Sequence, residues 1–154
     1  MVVHILSVLT MKEKLTKSQE NIKLKHTSCI SFCVPLTPRT KKNSQRIIVC
    51  HNRPMIIPSQ AYKDYEKECF LHIPKIDTID YHINLKCVFY MPTRRRVDLV
   101  NLQEALCDIL VKYGVLKDDN RNIVATMDGS MVLYDKDNPR TEVEIKKIEN
   151  YQVW

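Results

Sequence analysis

Residues 81–91, YHINLKCVFYM, alternate strictly: Ile83, Leu85, Cys87 and Phe89 fall on one face, and His82, Asn84, Lys86, Val88 and Tyr90 on the other. A period of two predicts a half-buried β-strand. From Asp98 to Tyr113 the period becomes helical, with Leu99, Leu102, Leu106, Ile109, Leu110 and Tyr113 forming one stripe. Asp98 stands where an N-cap would, and Gly114 stands just past the end. A second helix is predicted in IPSQAYKDYEKECFLHI, with Ser59 as N-cap, Ala61, Tyr62, Tyr65, Cys69 and Phe70 on one face, and Pro74 as its stop. Shorter β-prone runs complete the pattern. CISFCV begins at Cys29, and IIVC follows the basic loop RTKKNSQR. RNIVATM and MVLY flank a turn at Asp128-Gly129-Ser130, and TEVEIKKI closes the series. The predicted order is β-β-α-β-α-β-β-β. It implies an α/β (α+β) chain: a single small domain with a mixed β-sheet and two main helices.

The length of 154 residues suits one domain with a modest extension. Residues 1–28 are polar and Lys-rich after a short apolar run and are expected to form an N-terminal extension, leaving 29–150 as the domain. Hydrophobic content of 44% with 27% charged residues fits a packed fold rather than a disordered chain. The six cysteines form no CxxC pair and sit in apolar or alternating stretches, where free Cys acts as a small hydrophobe. The N-terminal apolar run lacks a preceding basic region and is too short to span a bilayer, so a cytoplasmic protein without a membrane partner is expected. Zinc ligation by His26, Cys29, Cys33, Cys50 and His51 is disfavoured, because Cys29 and Cys33 lie within a strand-like run. Gly114 and Gly129 are the only glycines, which excludes the glycine-rich phosphate loops and hence a nucleotide cofactor bound by them.

The formal net charge of +6 changes the picture towards an anionic partner. In RRRVDLVNLQEALCDILVKYGVLKDDN, three arginines run directly into Asp98, and Asp118 and Asp119 follow the intervening helix. Asp98 could serve simply as an N-cap. It could also join the later acids around a hard divalent cation, which takes oxygen ligands and keeps several waters. Such an ion activates water and neutralises charge in phosphodiester cleavage. Acids alone would repel the substrate backbone. Arg94, Arg95, Arg96, Lys41, Lys42 and Arg46 could offset that repulsion and hold phosphates. A helix of about 15 residues is about 22 Å long, and the segment from Gly114 to Asp119 reaches about 20 Å when extended. The return to Asp98 is therefore sterically feasible if LKDDN doubles back and feeds a strand beside the one ending at Met91.

These residues resemble the RusA family of Holliday junction resolvases, found in bacteria and prophages. The resemblance is carried by Asp98, Leu99, Asn101, Leu102, Ala105, Asp108, Leu110, Asp118 and Asp119, with TKKNSQRI, IPSQAYKDYEK and DGS…NPRTEVEI around them. It implies a small homodimer that binds four-way (branched) DNA and cuts two opposed strands with Mg2+, in recombination and repair. Carried over by position, Asp98 and Asp119 are metal-binding, with Asp118 as a helper. Two positions depart from the family pattern: Val100 stands where the best-known members have a metal-binding Asp, and Glu104 where they have a functional Lys. Glu104 follows Val100 by four residues on the same helix face and is a candidate catalytic replacement. Asp128 is a further candidate ligand, beside its commoner role in a turn. Two other readings stay open: a non-catalytic junction-binding protein with a degenerate site, and a basic dimeric interaction module.

Overall fold

In the structure, a computed structural model, residues 29–41, 45–51 and 53–150 are described, apart from the side chains of Arg46 and Ile56. The expected extension 1–28 and Lys42 lie outside the described residues. The described elements are β1 (Cys29–Val34), β2 (Gln45–Cys50), β3 (Arg53–Pro58), α1 (Gln60–Cys69), β4 (Ile83–Met91), α2 (Leu99–Lys112), β5 (Val124–Thr126), β6 (Met131–Tyr134) and β7 (Arg140–Lys147). The anticipated mixed sheet with two helices is present. Its strand order is β1-β7-β4-β5, with β6 also paired to β4. β7 is antiparallel to both β1 and β4, whereas β5 and β6 run parallel to β4. No helix among the described residues is long and apolar enough to cross a membrane.

The alternation in β4 does what it predicts: Ile83, Leu85, Cys87 and Phe89 are all buried. α2 divides its apolar surface. Leu102, Leu106, Cys107 and Leu110 pack on the sheet residues Leu85, Phe89, Val143 and Ile145, while Ala105 and Ile109 pack with Tyr62, Tyr65, Cys69 and Val34. α2 is thus wedged between the sheet and α1. Ser59 caps α1 as expected, its Oγ accepting from Tyr62 N at 3.1 Å. The predicted apolar face of α1 narrows to Tyr62, Tyr65 and Cys69. Ala61 and Phe70 are exposed, and Phe70 lies beside Tyr113 with ring centroids 4.9 Å apart.

One expectation is corrected and one is refined. First, IIVC does not lead straight to a helix. It pairs with Arg53–Pro58 as a separate two-stranded ribbon, in register Ile47↔Ile56 and Val49↔Pro54. The two prolines disguise β3, but an edge strand tolerates missing N–H donors. Second, β5 and β6 flank the Asp128 turn as expected but do not pair with each other. β5 lies along Ile83–Asn84 and β6 along Val88–Met91, so both occupy the same edge of β4 in sequence. The step between them is held by Asn84, whose Oδ1 accepts from Thr126 Oγ1 at 2.6 Å and from Asp128 N at 2.8 Å. Cys87 N, midway along that edge, donates to Ser130 Oγ at 3.0 Å. Gly129 makes the step possible with a φ of 81°.

Candidate active site

Asp98 occupies the N-cap position of α2 (φ −85°, ψ 124°), but its side chain makes no capping bond to the helix amides. Its Oδ2 instead accepts from Asn101 Nδ2 at 3.1 Å, and the residue is exposed. The side chain is therefore held in place without being used to satisfy the helix. The preceding residues place Arg94, Arg95 and Arg96 on the surface beside it. Arg94 rests over the Tyr134 ring, its Cζ 4.8 Å from the centroid. A cation over an aromatic face is held by the ring quadrupole, which fixes this guanidinium at the C-terminal end of β4.

The second acidic group lies at the other end of α2. Past Gly114 (φ 75°), the chain is pinned beside the residues that precede β4. Ile79 N donates to Val115 O at 2.9 Å, Lys117 N to Ile79 O at 3.1 Å, and Ile83 N to Ile123 O at 2.8 Å. Asp118 then organises the loop: its carboxylate accepts from Asp119 N at 2.7 Å and from Asn120 Nδ2 at 2.6 Å. The Asp119 N–H, followed by the Asn120 amide, lowers the Asp118 pKa. Asp119 moves the other way. Partial burial of its carboxylate, then its hydrogen bond with Asp118 and the negative charges of Asp118 and Asp108, raise its pKa. The Cys107 thiol is pushed up to about 12, first by burial and then by the charges of Asp119 and Asp108.

The bonds to Ile79 and these charge influences place Asp119 towards the part of α2 that carries Cys107 and Asp108. That part lies about 14 Å along the helix axis from Asp98. Ligands of one Mg2+ sit about 2 Å from it, and an axial separation of that order sets Asp98 and Asp119 of one chain apart. LKDDN does feed a strand, β5, beside β4, the strand that ends at Met91, but at its start, along Ile83–Asn84, where the Ile79–Val115–Lys117 bonds hold the returning chain. Among the described residues, no group of three or more His, Cys, Asp or Glu side chains is arranged to hold a metal ion.

The remaining candidates distribute as follows. Lys41 reaches across to α2, where its Nζ bonds Asp108 Oδ2 at 2.7 Å. That hydrogen bond is the main cause of its raised pKa, helped by the charges of Asp108, Glu104 and Glu66. Glu104 thus belongs to a cluster of acids around Lys41, on the side of α2 that faces α1. Val100, one turn before it, is 68% exposed and offers no ligand. Arg46 lies on β2, its side chain outside the described set. Asp128 is exposed at the β5–β6 step, where its backbone is bound by Asn84. Lys41 pairing with Asp108 had no local signal in the sequence, since 67 residues separate them.

The sequence pattern of the endodeoxyribonuclease RusA family matches residues 35–146, a span holding both helices and every candidate residue named above. The chain belongs to the RusA family. One RusA relative, the crossover junction endodeoxyribonuclease RusA of Aquifex aeolicus (strain VF5), is 41% identical over 46 residues, which is 30% of this chain and 36% of the relative. Within this RusA-family chain, then, the two groups of acids are positioned at opposite ends of one helix. Both are exposed and offer the oxygen donors that Mg2+ prefers.

Proposed function

We propose that this protein is a Mg2+-dependent endodeoxyribonuclease that cuts four-way DNA junctions as a homodimer in recombination and repair. The observation that carries the reading is Asp98. It is an N-cap carboxylate released from capping, steadied by Asn101, and set directly beside three exposed arginines. A purely structural Asp there would accept from a helix amide. The arginines hold the phosphate backbone near an acid that would otherwise repel it. Asn101 fixes the Asp98 rotamer, and the Asp118 bonds hold the loop that presents Asp119. Bound Mg2+ supplies charge neutralisation and an acidified water. On this reading, one site takes Asp98 from one chain and Asp119, with Asp118, from a second copy. The separation of the two along α2 within a single chain supports this arrangement. Glu104, clustered with Lys41, supports that site as a neighbouring acid.

Subunit complementation tests the proposal. Asp98→Asn and Asp119→Asn are each expected to abolish cleavage of a labelled four-way junction. Mixing and reannealing the two variants should restore nicking, because one of the two shared sites in the mixed dimer is intact. If each variant alone is inactive and the mixture stays inactive, the shared site is wrong. If the wild type binds junctions without cutting them in Mg2+, the nuclease reading itself is wrong. Val100, exposed and apolar beside Asp98, favours one second reading: a junction-binding protein with a degenerate site. It predicts binding that Asp119→Asn leaves unchanged or strengthens.

A further inference from the structure

Apart from the candidate Arg46, the β2–β3 ribbon contributes nothing to the site described above. It forms its own two-stranded sheet, and neither core cluster takes a side chain from it among the described residues. An isolated two-stranded ribbon is marginal in water. This one nonetheless exposes large apolar side chains: Ile47 is 74% and Val49 73% exposed. The register Val49↔Pro54 adds the exposed Pro54 to the same face. A solvated arm would carry polar residues there, so the face is built for a partner.

Charge identifies the partner. From Asn21 to Lys63 the sequence contains no Asp or Glu, and Arg39, Lys41, Lys42, Arg46 and Arg53 fall between Arg39 and Pro58. These five cations compare with a net charge of +6 for the whole chain. Lys41 is paired with Asp108, but Arg39 and Arg53 are exposed. Two such arms laid together would juxtapose like charges, which opposes arm-to-arm pairing of two copies. A polyanion with apolar surfaces to offer is favoured instead. DNA fits both demands: phosphates meet the cations, and aliphatic side chains such as Ile and Pro wedge between base steps. Each strand has six residues and spans about 20 Å, and a two-stranded ribbon is narrow enough for the major groove.

We infer that the β2–β3 arm is a branch-point wedge, whose Ile47, Val49 and Pro54 face packs against bases unstacked at the centre of a branched DNA while its arginines hold the flanking phosphates. The inference rests on the proposed junction substrate. It goes beyond it by naming the element that distinguishes a branch from a linear duplex. Bases at a branch have fewer stacking neighbours to give up, so a wedge gains more there than in a continuous duplex.

The test uses the full chain without Mg2+, so that no strand is cut. A four-way junction carries 2-aminopurine at the branch, and a linear duplex of the same sequence is the control. The wild type should raise 2-aminopurine fluorescence at the branch. Ile47→Ser/Val49→Ser should remove that rise and weaken junction binding about a hundredfold, the order expected when two aliphatic side chains lose their burial. Duplex binding should change less than about twofold. Ile47→Leu/Val49→Ile should keep the wild-type behaviour. Both positions are exposed, so the serine variant should keep the wild-type circular dichroism. A serine variant that still raises the fluorescence and prefers the junction overturns the wedge alone. A serine variant that changes sedimentation from a larger to a smaller species also overturns it, by assigning the face to a second copy. A wild type that binds junction and duplex equally overturns the junction reading as well.

Discussion

Lys41 sits among the acids Asp108, Glu104 and Glu66, bonded to the first and raised in pKa by that bond and by the charges of all three, so its removal probes how the segment before β2 is tied to α2. The Lys41–Asp108 bond is 2.7 Å long, but the side chains remain 39% and 33% exposed. At that exposure a full low-dielectric Coulomb energy does not apply, and the pair itself contributes about 0.5–1 kcal/mol. Lys41→Met does more than delete the pair. It leaves neighbouring carboxylates without that counter-charge, so its total cost should reach about 1–1.5 kcal/mol. Asp108→Asn leaves Lys41 with Glu104 and Glu66 still nearby and should cost only about 0.5 kcal/mol. For a chain of this size, 1 kcal/mol corresponds to about 2–4 °C in Tm. Urea unfolding followed by circular dichroism, at one fixed protein concentration, would give both single costs and the double-mutant coupling. The pH dependence has a definite sign. The pKa of Lys41 is raised in the fold. Its stabilisation is therefore fully present below the unfolded value of about 10.4 and is lost as pH rises through the folded value. The gap between wild type and Lys41→Met should be flat from neutral pH upwards and close only in strong alkali. Equal costs for the two single variants, or a coupling below about 0.2 kcal/mol, would refute the reasoning.

Other consequences can be checked alongside. Leu106, 1% exposed between α2 and the sheet, should cost about 3 kcal/mol when changed to Ala, read from the urea midpoint. Ser59→Ala, which removes the bond to Tyr62 N, should cost about 1 kcal/mol. Asp98→Asn should cost less than about 0.5 kcal/mol, because its side chain caps nothing, while junction cleavage is lost. Gly129→Ala should cost about 1 kcal/mol in thermal melts, chiefly from its φ of 81°. The added Cβ would meet Lys86 Cδ at 3.2 Å, a contact the flexible lysine can relieve.

The parts of the fold that sequence reveals are those where one local rule governs many consecutive residues. β4 and α2 keep regular periods over 9 and 14 residues and bury most of the positions those periods select. Ser59 announces α1 because capping is a local bond. β3 was hidden because Pro54 and Pro58 argue against a strand, although IIVC and RPMII, only two residues apart in sequence, carry a hairpin signal. His51, with a φ of 49°, supplies the left-handed residue of the turn between them. The placement of β5 and β6 was hidden for a different reason. Runs of three and four residues have too little pattern to choose a partner. The choice is made by Asn84 and Ser130, whose bonds join residues more than 40 positions apart.

The same distinction governs the candidate site. Side-chain chemistry is local, so Asp98, Asp118, Asp119 and the three arginines could be named from their types and spacing. Their assembly is not local. Chain length sets only the farthest point that Asp119 could reach, and the path actually taken is decided by backbone bonds from Ile79 to Val115 and Lys117. Those bonds keep the loop at the start of β4, on the far side of three helical turns from Asp98. A chain that wanted both acids in one place could have fed β5 to the end of β4 instead, where β6 now lies. Because it does not, the acids are at two separate places on the surface of the chain, each accompanied by polar groups that hold it. A nuclease built this way, on the proposed reading, has no complete site until two chains meet. Two sites then form together by symmetry, which suits a substrate that must be cut on two strands.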